Sequence, residues 1–184
     1  MSDTLVSKPS PRFPTINIPG LTRYRIAVGF ALAAYSFLAY QIVRGAGVIP
    51  QFRVDLTPLL TAPIEIQIHA YGAIATFIIG LVLLFAPKGF RLHRTLGWTW
   101  VVTMAITAIS SFFITSFSPV HFSPIHALSA WTLIGLPMGI AAIRRRKVQD
   151  HRKKMTGMFV GGMMIAGLFS FLPGRLMFSL FFSF

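Results

Sequence analysis

Five long apolar runs, separated by short stretches of proline, glycine and charge, set the plan of this chain. The first covers about 24–43, entered after Arg23 and Arg25 and left at Arg44. The second, about 65–85, opens behind Pro63, a residue type favoured in the first turn of a helix, and ends at Pro87-Lys88-Gly89. A third, about 92–117, stops at Ser118-Pro119, and a fourth, about 124–143, opens on Ser123-Pro124 and stops at Arg144-Arg145-Arg146-Lys147. The fifth, about 151–172, starts beside Asp150, read as its cap, and reaches Pro173-Gly174. Each approaches or exceeds the ~20 residues that an α-helix needs to cross ~30 Å of hydrocarbon. The predicted fold is an all-α integral membrane protein of five transmembrane helices, with helices 2 to 5 forming an antiparallel four-helix bundle.

The stretches outside these runs carry their own expectations. Residues 1–22, rich in Ser, Pro and Thr, are predicted to be a flexible cytoplasmic tail. They do not read as a secretory signal, because the first apolar run begins only near Tyr24 and lacks a small-residue cleavage site. Residues 23–184 form a single transmembrane domain in this reading. Between Arg44 and Glu65, Gly45, Gly47, Pro50, Pro58 and Pro63 predict broken backbone covering the outer mouth of the bundle. The last nine residues, Leu176 to Phe184, are too short to cross again and are expected to extend the fifth helix past a kink or to lie in the outer interface.

Composition sharpens the picture. With 54% hydrophobic and only 11% charged residues, the chain has too little charged surface for a water-soluble domain. The net charge of +13 is read as an orientation signal: all of the 17 Lys and Arg residues except Arg44, Arg53 and Arg175 fall on one predicted face. That face is predicted to be cytoplasmic, placing the N-terminus inside and the C-terminus outside a bacterial inner membrane. Anionic lipid accounts for the charge, and nucleic acid is not expected as a partner. The absence of cysteine excludes disulfides, iron–sulfur clusters, thiolate haem ligation and covalent haem attachment. Four acidic residues in the whole chain leave little for proton-coupled transport through buried carboxylates.

The chemistry then rests on histidine. His69, His93, His126 and His151 stand one at or near the start of each of the last four runs. Successive spans run in opposite directions, so His69 and His126 share one membrane face, and His93 and His151 the other. Two same-depth pairs within a four-helix bundle are the arrangement needed to hold b-type haem, one near each side. Histidine is also common at membrane interfaces, where helix ends leave orphan backbone groups, and that reading needs no cofactor. His121, in an outer loop, has no partner in this scheme and is read as solvated or lipid-facing. Arg175 has three readings: a partner for a haem propionate, a partner for Glu65, or a side chain snorkelling to the headgroups. Arg94 and Arg152 choose between propionate and lipid phosphate. In the fifth run, Gly157 with Gly161 and Gly162 with Ala166 predict close helix approach, and Met155, Met158, Met163 and Met164 are read as packing.

These residues carry a resemblance. His69-Ala70, His93-Arg94 with Gly97, Ser123-Pro124-Ile125-His126, His151-Arg152 with Met155, and Leu172-Pro173-Gly174-Arg175 resemble the bacterial membrane proteins grouped as domain of unknown function 2306. More distantly, the alternation of histidines over four helices is similar to cytochrome b561. That second resemblance implies that His69 and His126 ligate an outer haem, and His93 and His151 an inner one. The chain departs from it in having five predicted spans rather than six, and in the shallow placement of His93 and His151 beside charged loops.

The expected function is therefore a membrane-embedded haem b protein, with one or two haems, passing electrons across the inner membrane from a quinol or a docked protein donor. As an enzyme it would be the electron-transfer component of an oxidoreductase. A haem-free structural or assembly subunit is the alternative, followed by a small-molecule or lipid transporter.

Overall fold

The computed structural model describes residues 21–47, 49–114 and 124–183. His121, Ser123 and the N-terminal tail lie outside the described residues. The chain is mostly helical: α1 (Leu21–Ala46), α2 (Thr57–Leu60), α3 (Ile64–Phe85), α4 (Arg91–Ser111), α5 (Pro124–Arg144), α6 (Val148–Gly157), α7 (Ala166–Ser170) and α8 (Leu176–Ser179). A π-helical stretch, Met158–Ile165, joins α6 to α7 without a break, so the fifth apolar run is one helical rod with a wide central segment. Residues Tyr24–Ala46, Ile64–Phe85 and Ile125–Arg144 are three helices long and apolar enough to cross a membrane. α4 falls below that standard because Thr95, Thr99, Thr103, Thr107, Ser110 and Ser111 interrupt its apolar surface. Most of these hydroxyls bond back to a carbonyl one turn earlier, as Thr107 does to Thr103 at 2.8 Å, and so carry their own polarity along the helix.

Side-chain contacts fix the direction of each neighbour. His69 near the start of α3 meets Thr107 near the end of α4, Ser111 of α4 meets Ser129 near the start of α5, and Gly139 late in α5 meets His151 early in α6. Consecutive long helices therefore run antiparallel. α1 runs parallel to the last rod, pinned to it by Tyr24 Oη on the Lys153 carbonyl at 3.3 Å and Tyr35 Oη on the Phe171 carbonyl at 3.1 Å. Trp100, Met104, Leu136, Met158, Phe159, Val160 and Met163 form the core between α3, α4, α5 and the π segment. Large apolar side chains also face outward along the helices, including Phe30 at 79% and Phe37 at 62% exposed, a surface suited to lipid rather than water.

Among lipids, helices gain nothing by hiding apolar surface from each other, so close packing has to come from shape. It is supplied by small residues on α3. A Cβ added at Gly72 would lie 2.6 Å from Thr107 Oγ1, and one at Gly80 would strike Phe159 and Trp100. Gly72, Thr76 and Gly80, spaced four apart, form a small-residue face met by α4 at Gly72 and by both α4 and the π segment at Gly80. The fifth run was expected to supply this approach, and only Gly162 there is tightly met, by Met104 at 3.1 Å; Gly157 and Gly161 have looser neighbours and Gly167 has none within 4 Å. Met155 and Met158 do pack as expected, filling the space above Gly139 and Gly135 of α5.

Several boundaries differ from the sequence reading. α6 begins at Val148 with Lys147 as its N-cap, so Asp150 sits in the first turn, where its charge faces the positive helix end, rather than capping it. The helix of the third run ends at Ser111. Residues 176–183 do not extend the fifth helix. They form α8 and a short strand, β2 (Phe182–Ser183), which pairs antiparallel with β1 (Gln51–Phe52). The stretch from Arg44 to Glu65 is thus only partly irregular: β1 and α2 pack with the C-terminus as a small cap. Phe178 stacks on Phe182, and Leu59, Ala70 and Leu180 form its own apolar cluster.

Candidate functional site

Three of the four histidines sit in the first turn of a helix, and His69 lies one turn further in. Alternating helix direction sorts them by end. His69 and His126 both meet the final turns of α4. The His69 Nδ1–H donates to the Thr107 carbonyl at 2.9 Å, with Ser110 Oγ at 3.3 Å, and the His126 ring centre lies 5.6 Å from that of Phe112. His126 is buried, at 6% exposed, whereas His69 is half-buried.

The surroundings of this end are polar in a way that the sequence reading missed. Thr107, Ser110, Ser111, Ser129 and Thr132 are all buried, and the Ser111 and Ser129 hydroxyls share a hydrogen bond at 2.6 Å across the α4–α5 contact. Their signal was present: Thr103, Thr107, Ser110 and Ser111 recur at helical spacing, marking one hydroxyl-bearing face on an otherwise apolar helix. The cap closes over the same end. Gln67 Nε2, two residues before His69, donates to the Leu60 and Ala62 carbonyls at 3.1 and 2.8 Å, and Ala70, the residue after it, packs on Leu59 and Leu180.

His93 in the first turn of α4 and His151 in that of α6 occupy the opposite end, where Lys88 lies in the turn after α3. The His151 Nδ1–H donates to the Gly139 carbonyl at 2.9 Å. His93 Nδ1 is buried without a hydrogen-bond partner, as are Thr76 Oγ1 and Trp100 Nε1 nearer the middle of α3 and α4. The Lys88 ammonium, held on the Leu84 carbonyl at 2.7 Å, is kept below its ordinary pKa by partial burial and then by the charge of Arg152. Arg94 is exposed on the first turn of α4, and Arg175 is exposed at the N-cap of α8, at the capped end of the molecule.

Two of the four imidazoles thus share one chemical state. A carbonyl only accepts, so the nitrogen facing it carries the proton, and in a neutral ring the lone pair is left on Nε2. An anchored Nδ1–H is the usual support of a metal-ligating histidine, fixing both tautomer and ring orientation. The same bond equally ties one helix to the next. Among the described residues no group of three or more His, Asp and Glu side chains gathers as a metal cluster.

No curated protein and no solved structure matches the chain. The family model described as predicted membrane protein (DUF2306) matches residues 66–181, which runs from the first turn of α3 through α8 and includes His69, His93, His126 and His151. With well over half of its length matched, the chain belongs to this family of membrane proteins.

Proposed function

We propose that the protein is a five-span inner-membrane electron carrier, in which α3, α4, α5 and the α6–α7 rod form an antiparallel four-helix bundle holding haem b at bis-histidine sites. The observation that carries this reading is the anchored Nδ1–H of His69, on the Thr107 carbonyl at 2.9 Å, at the same end as the buried His126. It leaves the His69 Nε2 unprotonated for an iron. His151 has the same support from Gly139, whereas the Nδ1 of its partner His93 has none. The reading therefore commits to one haem at His69 and His126 and assigns a second to His93 and His151. A haem held by two imidazoles supplies one-electron transfer without a change of ligands. This chain's own residues orient the rings through backbone carbonyls, surround one end with buried hydroxyls, and close that end with the β1–α2–α8 cap. A quinol or a protein docking on the basic end is the proposed donor. The basic end is assigned to the cytoplasm by its Lys and Arg content.

A haem-free structural subunit is the second reading, favoured by one observation. Trp100, Met104, Leu136, Met158 and Phe159 fill the space between the helices, and the His69 and His151 hydrogen bonds serve as interhelical struts. A dithionite-reduced minus oxidised visible spectrum, with a haem-to-protein ratio, separates the two. Sharp α and Soret bands are expected from protein produced with ample haem, with loss of the outer site in His69→Ala or His126→Ala and of the inner site in His93→Ala. A folded, colourless protein overturns the electron-transfer reading.

A further inference from the structure

The stretch between α1 and α3 turns apolar side chains outward where it does not cross the membrane. Ile49, Phe52, Val54, Leu56 and Leu60 are all more than half exposed. In α2 the sorting is plain: Leu59 is 5% exposed and packs with Ala70 and Leu180, while Leu60 beside it is 61% exposed. The backbone beneath these side chains is closed off. The Arg53 and Asp55 N–H groups donate to the Phe181 and Leu180 carbonyls at 2.9 Å, the Thr57 N–H to Asp55 Oδ1, and those of residues 59–62 to carbonyls of the same segment. Paired amides under exposed apolar groups suit a place where water is scarce and hydrocarbon is near. The surface also continues into one already assigned to lipid. Gln67 Nε2 holds the Leu60 carbonyl at 3.1 Å, and Ile64, Ile68, Tyr71 and Ile74 then follow at helical spacing as an exposed stripe along α3.

We infer that the β1–α2 face of the cap rests in the bilayer interface, with Phe52, Val54, Leu56 and Leu60 against the glycerol and upper acyl chains of the leaflet at that end. Arg53, exposed and paired with Asp55, extends from there to the headgroup level. His69, further along α3, then lies deeper in the bilayer than the cap. The contact is with lipid alone and does not depend on haem.

The chain has no cysteine, so a single introduced cysteine can carry a fluorophore to a chosen depth. The test labels Phe52→Cys and Leu60→Cys with NBD in the full chain, reconstituted into vesicles of phosphatidylglycerol and phosphatidylcholine. Ile74→Cys and Arg145→Cys serve as the hydrocarbon and water references. Each is quenched in turn by iodide on both sides of the membrane, by lipid with a nitroxide near the glycerol, and by lipid with a nitroxide near the chain end. Intensities are read as ratios to the same sample unquenched, so haem content cancels. Labels at both cap positions should be quenched at least about twofold more by the shallow nitroxide than by iodide or the deep one, as for groups held just below the headgroups. Iodide as the strongest quencher, as expected at Arg145→Cys, would mean a cap standing in water. Shielding from all three would mean a face covered by a second copy or by another protein. Strongest quenching by the deep nitroxide, as expected at Ile74→Cys, would mean a cap sunk in hydrocarbon. Each of these three results overturns the proposal. Val54→Cys and Leu56→Cys repeat the reading at independent exposed positions, so the failure of one variant to fold leaves the outcome decided.

Discussion

His69 reaches across from α3 and gives its Nδ1 proton to the backbone carbonyl of Thr107 at 2.9 Å, a distance that only two closely packed helices can provide. What permits it is Gly72, three residues further along the same helix, where a Cβ would stand 2.6 Å from Thr107 Oγ1. One bare backbone position therefore decides whether the histidine is anchored.

Gly72→Ala should part α3 and α4 and destabilise the protein by about 1–3 kcal/mol, the usual cost of overpacking. Gly97→Ala is its control: a Cβ there meets nothing within 4 Å, and the gain in helix propensity should make it neutral or stabilising by up to about 1 kcal/mol. Reversible unfolding in mixed micelles measures both. Equal effects of the two substitutions would show that the Gly72 contact is not what sets the spacing.

The Ser111–Ser129 bond joins α4 and α5 beside His126, buried on both sides. In a double-mutant cycle with Ser111→Ala and Ser129→Ala, the coupling should be about 0.6 kcal/mol, the average for hydrogen bonds between membrane helices, and no more than about 1.7. Additive single effects would mean that each hydroxyl is satisfied by its own helix alone.

Arg146 takes up φ 57° in the turn after α5, where the Lys147 N–H bonds to the Ala142 carbonyl and the Arg146 N–H to that of Ile143. This is the helix-ending arrangement in which glycine is preferred, because a side chain in the left-handed region costs about 1–2 kcal/mol. Arg146→Gly should raise stability, offset in part by the greater freedom of the unfolded glycine, for a net of about 0.5–1 kcal/mol. A lowered unfolding midpoint would place the importance of Arg146 in its charge.

In the cap, the Asp55 carboxylate is held below its ordinary pKa by the Thr57 side chain and backbone N–H, and further by the Arg53 guanidinium. A depressed pKa means stability that is present above the ordinary carboxylate value and lost as pH falls through the folded one. Protection of the amides over Arg53–Leu60, taken relative to the intrinsic exchange rate at each pH, should therefore fall under acid conditions. Asp55→Ala should show that lower protection already at neutral pH and lose the pH response. An unchanged acid response in the variant would assign the loosening to another group.

What the sequence determined by itself is the local part of this protein. The helices over 64–85 and 124–144 follow from apolar runs bounded by proline and by charge, since a chain in lipid must satisfy its backbone within each segment. Histidines near the starts of four such runs sort by end as soon as the runs alternate in direction, and no long-range contact is needed to see it. The tertiary structure alone decided the rest, because each part depends on residues far apart in sequence. The Thr107 carbonyl is identical to every other until His69 is brought to it. The Gly72–Thr76–Gly80 face looks like any small-residue spacing, including the one at Gly157 and Gly161, until α4 lies on it. Residues 51–52 and 182–183 carry too few positions to announce a strand, and they pair only because the connection after α1 meets the segment after α8.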